Sequence, residues 1–373
     1  MASIIGVFLC ICCGVIMALQ CFYQFYFFLK FILFKPPINA PQTLQQNEIS
    51  VIVCARDEYK NLKNTVPAIA NLNYNNYEFL LVDDVSFDET RDFMDAFVKT
   101  KNHVNYLRIQ QEGQMFSGKK YPLSLGIKTS QHNNLALTDA DCTPASNNWL
   151  QYINQQFAIG KEVILGYGPY IKAKGILNAC IRYETLITAL QYFSYALAGI
   201  PYMGVGRNLA YKKTLFYGQK GFAAHLHIPS GDDDLFIKDV ATKVNTAVML
   251  HPQSFMYSPA KTTFADWVTQ KTRHYSTGTL YNKNHKILLG AFSASWFLLY
   301  PSIIAVLFTP YYIFGLSVLL LRFVLHGLTM YFTCKKLHEK DLFKWFLVQD
   351  IGMFFYYLIF AFTLLKKTKK TWK

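Results

Sequence analysis

The sequence predicts an α/β domain with a mostly parallel sheet, flanked by transmembrane helices. Three observations carry this. Only 16% of the 373 residues are charged, against roughly a quarter in soluble domains, while 52% are hydrophobic. The missing charges leave gaps: residues 1–29 and 287–321 contain no Asp, Glu, Lys or Arg, and Asp350 is the only charge between Trp345 and Leu365. Between the gaps, short β-branched runs alternate with stretches of helical spacing, the pattern of βαβ units.

The first gap fits one span, about 4–29, since a bilayer crossing needs roughly 20 mainly apolar residues. No early Lys or Arg precedes it, which favours an uncleaved anchor over a signal peptide. Residues 1–34 are therefore read as an anchor, 35–286 as a water-soluble domain and 287–373 as a C-terminal membrane region. In the middle domain the predicted strands are 48–54, 77–83, 104–109 and 134–138, with helices at 61–72, 88–100 and 121–129 between them. Residues 177–199 are apolar but carry Arg182 and Glu184 near one end. They suit an interfacial amphipathic helix or a buried core helix. The C-terminal gap breaks at Thr309-Pro310, giving spans near 287–308 and 311–333, and 344–365 is a fourth candidate.

Lys30 and Lys35 follow the first span, and Lys335, Lys336, Lys340 and Lys344 follow the third. The positive-inside rule places both groups, and the middle domain, on the cytoplasmic side, here of a bacterial inner membrane. A complete fourth span would carry Lys366, Lys367, Lys369 and Lys370 to the other side. Either the rule yields there or the segment around Asp350 is re-entrant or interfacial. Arg322 and His326, four apart on one helical face, are expected to contact a lipid phosphate or to snorkel to the surface. Trp267 is expected at headgroup level.

Several classes are excluded. The net charge of +14 divides evenly between residues 30–286 and the membrane region, so half of it flanks spans and contacts membrane lipids. No basic stripe with interleaved aromatics marks a nucleic-acid binder. The loop after the first strand, CARDEYKNL, lacks the glycines of a dinucleotide site. Eight scattered cysteines, four of them in the first span, include no CxxC pair with a matching His or Cys set, which argues against a zinc site. The acids are more telling. Asp57 and Glu58 follow strand one, Asp83 and Asp84 end strand two, and Asp139 and Asp141 follow strand four. In parallel sheets, ligands bind at these carboxyl ends.

The ordered motifs ISVIVCARDE (49–58), LLVDDVSFDET (80–90), SGKKYPLSLGI (117–127), TDADC (138–142), SGDDDLF (230–236) and QKTRH (270–274) resemble the membrane-bound inverting glycosyltransferases of family 2. Cellulose synthase, hyaluronan synthase and ceramide glucosyltransferase belong to that group. The resemblance covers about residues 48–275. It implies a GT-A type nucleotide-sugar-binding domain, a nucleotide-sugar donor (UDP-linked by preference) and a lipid-linked or glycan acceptor. The alternative is a transporter or flippase of lipid-linked glycans, motivated by Arg322, His326 and Asp350.

The resemblance also assigns roles. Asp139 and Asp141 match the DxD pair, with Asp141 on a divalent metal and Asp139 on donor or metal. Oxygen ligands suit Mg²⁺ or Mn²⁺, which stabilises the charge of a departing diphosphate. Ala55, Arg56 and Glu58 match the first nucleotide loop, and Asp83 and Asp84 the acids that meet uracil or ribose. Lys119 would lie near the diphosphate, while Lys120 has no assigned role. Inverting transfer needs a carboxylate base; Asp232 is preferred, with Asp233 the other alignment. Gln270 and Arg273 would close over the donor. His274 stands where the family has a Trp that stacks on the acceptor, which weighs against processive synthesis. Asn208, in GVGRNLAY, is expected on the acceptor side.

Overall fold

A computed structural model describes residues 2–36, 45–110, 118–226, 228 and 230–363. The chain opens with α1 (Ala2–Phe22), which passes through a π-helical turn at Tyr23–Phe28 into α2 (Leu29–Leu33). The nucleotide-loop half of the domain then follows: β1 (Ile49–Ala55), α3 (Tyr59–Ala70), β2 (Tyr77–Asp84), α4 (Thr90–Val98), β3 (Val104–Ile109), α5 (Lys120–Thr129) and β4 (Asn134–Asp139). All four expected strands form within one residue of their expected bounds. The second half adds β5 (Thr143–Pro144), α6 (Trp149–Ala158), β6 (Val163–Gly166), α7 (Ile176–Leu197), β7 (Leu209–Lys212), α8 (Lys213–Gly218), α9 (Asp234–Val240), β8 (Thr246–Met249) and β9 (Met256–Tyr257).

The seven-stranded sheet has the order β3-β2-β1-β4-β7-β6-β8. Strands β3, β2, β1 and β4 run parallel, and β7 lies antiparallel to both β4 and β6. Every residue of β1 is buried, and alternation explains how. Ile49, Val51 and Val53 point into the core with Leu62, Val66 and Ile69 of α3, while Ile52 and Cys54 point into the core with Leu123 and Ile127 of α5. A strand covered on both faces needs apolar residues at every position. Gly126 of α5 lets that helix close on the sheet: a Cβ there would stand 3.0 Å from Ile52 and Val82.

Next come α10 (Phe264–Gly278), α11 (Lys283–Leu307), α12 (Tyr312–Lys336), α13 (Lys340–Phe343) and α14 (Phe346–Thr363). Three helices are long and apolar enough to cross a membrane: Ile4–Leu33, Lys283–Leu307 and Tyr312–Lys336. The expected break at Thr309-Pro310 separates α11 from α12. The apolar stretch of α14 is shorter, Phe346–Phe360. The tail lysines at 366, 367, 369 and 370 lie outside the described residues.

Three expectations meet the structure here. First, of the two readings of residues 177–199, α7 takes the buried helix over the interfacial one. It is buried on most of its circumference, including Arg182 and Glu184, between the sheet domain and the membrane helices. Phe27 of the first span stacks on its Tyr195 with ring centroids 4.3 Å apart. Second, Trp267 is buried against α14, 5.8 Å from Tyr356 and 6.1 Å from Phe360 by ring centroids. Third, Arg322 and His326 neither snorkel nor face lipid. Both are 1% exposed. Arg322 pairs with Asp350, donates to Gln20 Oε1 at 2.8 Å and lies over the Trp296 ring, while His326 Nε2 is 3.2 Å from the Tyr183 hydroxyl. A cation at this depth costs least when its partners are supplied by neighbouring helices.

Candidate active site

The loops after β1 and β2 lock together. Asp57 Oδ1 accepts from the N–H groups of Phe87 (2.7 Å) and Asp88 (3.3 Å), and the Asp57 N–H donates to Ser86 Oγ at 3.1 Å. The Glu58 N–H donates to Thr90 Oγ1 at 2.8 Å. Asp57 and Val85 both hold φ of 54°. Asp tolerates that region, whereas a β-branched Val does so only when its surroundings impose it. The crosslinked loops do, and they hold Arg56 and Glu58 on the wall of a cavity of about 1580 Å³. Ala55 is fully buried at the end of β1. Asp83 is also buried and accepts from the Ser86 N–H at 3.1 Å, while Asp84 lies 4.0 Å from Arg56. The pair therefore shapes this end of the site from beneath.

Strand β4 delivers Asp139 to the same cavity, and the turn after it presents Asp141. Lys119, just before α5, bonds to Asp139. Burial would neutralise both groups, but their attraction outweighs it. The Asp139 carboxyl is lowered and the Lys119 ammonium raised from their usual values. Asp141 is raised, by burial first and the Asp139 charge second. Ligand atoms of Asp139, Asp141 and Cys142 lie within 4.8 Å of one another. Burial pushes the Cys142 thiol well up, and it donates to Asp141 Oδ1 at 3.4 Å. The usable donors are thus carboxylate oxygens, a set that fits a hard divalent cation such as Mg²⁺ or Mn²⁺.

The acidic triplet divides its labour. Asp232 lines the cavity and is among the charges acting on Lys119 and Lys120. Asp233 caps α9: its Oδ1 accepts from the Asp234 N–H at 2.7 Å and its Oδ2 from the Gly206 N–H at 2.8 Å. Burial, then the charges of Asp232 and Asp234, push it up to about 8. Asp234 is buried and accepts from Thr277 and from the Tyr281 hydroxyl at 2.8 Å, tying α9 to the end of α10. Lys120 finds a role here. It is fully buried and donates to the carbonyls of His225 and Ile228, bracing the segment ahead of the triplet.

Helix α10 brings Gln270, Arg273 and His274 to the opposite wall. Gln270 Nε2 donates to the Tyr170 hydroxyl at 3.3 Å, and its Oε1 is buried without a protein partner. Burial, then Lys271, Arg273 and Arg207, hold the His274 imidazole well below its usual value, so it is neutral. Asn208 is a correction. It is 1% exposed, and its amide is used up inside the wall: Nδ2 donates to the carbonyls of Tyr167 and Ser254 (2.8 Å each), and Oδ1 accepts from Trp149 Nε1 at 3.0 Å. It packs so closely on Gly166 that a Cβ there would be 2.4 Å from its Cγ.

Two features escaped sequence reasoning. Glu184 of α7 forms a buried ion pair with Lys271 of α10 inside the cavity. Arg207, the neighbour of Asn208, lines the cavity beside Asp139 and Asp141. The cavity also continues past Glu184 and Tyr275 to Leu289, Gly290, Ser293, Ala294 and Phe297 of α11 and to Met353, Tyr357 and Leu358 of α14.

A parallel sheet with interlocked strand-end loops, a carboxylate pair after β4 and a capping helix above defines the GT-A fold. Residues 50–188 match the Glycosyl transferase family 2 model. The mannosyltransferase PcManGT from Pyrobaculum calidifontis, solved with GDP-Man and Mn²⁺, superposes with a TM-score of 0.60 at 16% identity, over 99% of this chain and 100% of that one. Glycosyltransferase GlyG of Streptococcus pneumoniae serotype 4 is 30% identical over 129 residues, which is 34% of this chain and 41% of that relative. The match thus spans less than half of its length.

Proposed function

We propose that this protein transfers a sugar, with inversion, from a nucleotide sugar to a lipid-linked acceptor. The catalytic domain is read as facing the cytoplasm, in a bacterial inner membrane. The observation that carries the reading is the continuity of the cavity. One small ligand fills roughly 300–1,000 Å³, and this cavity holds about 1580 Å³. Its far end is walled by α11, a helix long and apolar enough to cross a membrane. A donor at the carboxylates leaves room for an acceptor that enters from the bilayer side. Lys336 donates to the carbonyls of Phe31, Ile32 and Phe34, which puts the basic ends of α12 and of the first span on one side, beside the catalytic domain. That arrangement supports the cytoplasmic orientation.

In this reading Arg56, Glu58, Lys119, Gln270 and Arg273 surround the donor, with Ala55, Asp83 and Asp84 shaping the nucleotide end. Asp139 and Asp141 hold a divalent cation, which when bound offsets the negative charge of the departing diphosphate. Asp232 accepts the proton of the attacking hydroxyl. Asp233 is the second candidate, but its oxygens already hold two backbone N–H groups. His274, neutral on the cavity wall, faces the acceptor. The transporter alternative loses its main motive, because the Arg322 and Asp350 charges pair with each other and His326 Nε2 lies against the Tyr183 hydroxyl and Asp350.

The test is a panel of radiolabelled nucleotide sugars, UDP- and GDP-linked, given to membranes containing the protein. Hydrolysis and lipid-extractable product are both measured. Label entering the lipid extract with Mn²⁺ or Mg²⁺ present supports the reading. Label entering only water-soluble glycan would remove the lipid acceptor, and no turnover of any donor would remove the activity.

A further inference from the structure

Arg207 differs from three other cations of the cavity. Lys119 is bonded to Asp139, Lys271 to Glu184, and Arg56 lies 4.0 Å from Asp84. The contacts of Arg207 are all neutral. Its Nη1 donates to Ser258 Oγ at 2.9 Å, and its guanidinium lies 4.2 Å from the centroid of the Tyr170 ring. No carboxylate lies within ion-pair distance of it among the described residues. Yet its position is fixed with care. The Thr138 hydroxyl donates to the Arg207 carbonyl at 2.7 Å, one residue before Asp139. Gly168 clears space for its stem: a Cβ there would approach the Arg207 Cβ to 3.2 Å.

A guanidinium offers five N–H donors in a rigid fork. One of them is used by Ser258, and the Tyr170 face holds the plane without consuming any. A partly buried cation whose side-chain partners among the described residues are a hydroxyl and a ring leaves most of its bonding capacity to be met by a ligand. The fork matches phosphate oxygens in bidentate geometry, which a lysine cannot reproduce.

We propose that Arg207 is a phosphate-binding residue, held open by Tyr170 and Ser258 beside the Asp139–Asp141 pair until a phosphate group enters the cavity. The inference rests on the glycosyltransferase reading for its biological ligand. Two sources share this chemistry: the diphosphate of the donor and a phosphate on a lipid acceptor. The place of Arg207 beside the carboxylate pair favours the diphosphate.

The experiment uses the full chain in detergent or nanodiscs. Inorganic pyrophosphate, UDP, GDP and uridine are titrated in the presence of Mn²⁺ into wild type, Arg207→Gln and Arg207→Lys. A bond from a charged donor is typically worth a factor of about 10 to 100 in affinity. The expected result is a loss of that size for pyrophosphate and the nucleoside diphosphates in Arg207→Gln. Uridine binding should be unchanged, and Arg207→Lys should recover only part of the loss. If these affinities hold but Arg207→Gln no longer binds vesicles carrying a polyprenyl phosphate, the phosphate is the acceptor's, and the assignment of Arg207 still stands. If wild type binds pyrophosphate through Arg207 but prefers no nucleotide, the donor reading fails and the phosphate site survives. Unchanged affinity in both arms overturns the proposal, as does a wild type that binds no phosphate compound. Should Arg207→Gln fail to fold, Ser258→Ala keeps the cation but frees its fork. A several-fold weaker pyrophosphate affinity is then expected, and no change counts against the site.

Discussion

The Arg322 guanidinium of α12 and the Asp350 carboxylate of α14 pair with neither exposed to solvent, 28 residues apart in the chain. Tyr300 of α11 donates to the same carboxylate, and Gln20 of the first helix accepts from Arg322. Four helices thus converge on one charge pair. Removing one partner of a buried pair typically costs about 3–5 kcal/mol, because the other is left unpaired. Asp350→Ala should lower stability in detergent by that order, read as a drop in the thermal unfolding midpoint. The double variant Arg322→Met, Asp350→Leu should recover most of it. Equal loss in the single and double variants would mean that the pair is not what holds the helices.

The Asp139–Asp141 pair makes metal dependence the next expectation. Chelation with EDTA should abolish transfer, and Mn²⁺ or Mg²⁺ should restore it. Asp141→Ala should lose Mn²⁺ binding, measured by electron paramagnetic resonance titration, and lose transfer with it. The fold should survive, since Asp141 lines the cavity and accepts only a weak bond from the neighbouring Cys142 thiol. Full metal-dependent activity in Asp141→Ala would remove it from the metal site.

Asp232 and Asp233 separate by what each does. A general base contributes about 10²–10⁴ in rate, so Asp232→Asn should lose transfer by that factor while nucleoside diphosphate affinity holds. Asp233 should show itself in stability. Its folded-state value is raised to about 8, so the folded protein binds this proton more tightly than the unfolded chain. Stability therefore falls as pH rises from the usual carboxylate range toward pH 8. Asp233→Asn should flatten that slope in unfolding midpoints measured across the window. If instead Asp233→Asn abolishes transfer and Asp232→Asn does not, the roles are reversed.

Strands β1 and β2 are legible because each is an apolar run buried on both faces, and the short apolar cores of β3 and β4 stand out between polar ends. The four-residue strands β6, β7 and β8 carry too little signal to stand out, and nothing local reveals that β7 runs antiparallel. The motif order located the cavity walls. What it could not supply was pairing across the chain. Glu184 and Arg182 were visible as charges in an apolar stretch, yet Lys271, Glu339 and Asp341, which bond to them, lie about 90 to 160 residues away. Asn208 and Arg207 are the instructive reversal. Adjacent in one motif, they face opposite ways. The smaller amide is consumed by the wall and the cation opens on the cavity, a difference set by the tight approach of Gly166.

Gly290 offers the sharpest test of a lipid acceptor. It lies on α11 where the cavity reaches the membrane helices, and a Cβ added there meets nothing within 4 Å. A leucine side chain should therefore grow into the passage without disturbing packed neighbours. Replacing a mid-helix glycine with leucine should gain roughly 0.5–1 kcal/mol of helix propensity, so misfolding is not the expected failure. Forcing an acceptor chain past the new bulk should cost about 1–3 kcal/mol, a factor of about 5 to 150. Gly290→Leu should raise KM for the lipid acceptor by that factor, while donor hydrolysis and nucleoside diphosphate affinity stay unchanged. Gly352→Leu on α14 is the control: it too meets open space, but its position is not part of the cavity wall, so transfer should be unaffected. If Gly290→Leu transfers to lipid at the wild-type rate, the acceptor does not pass between α11 and α14, and it must reach Asp232 from the aqueous side.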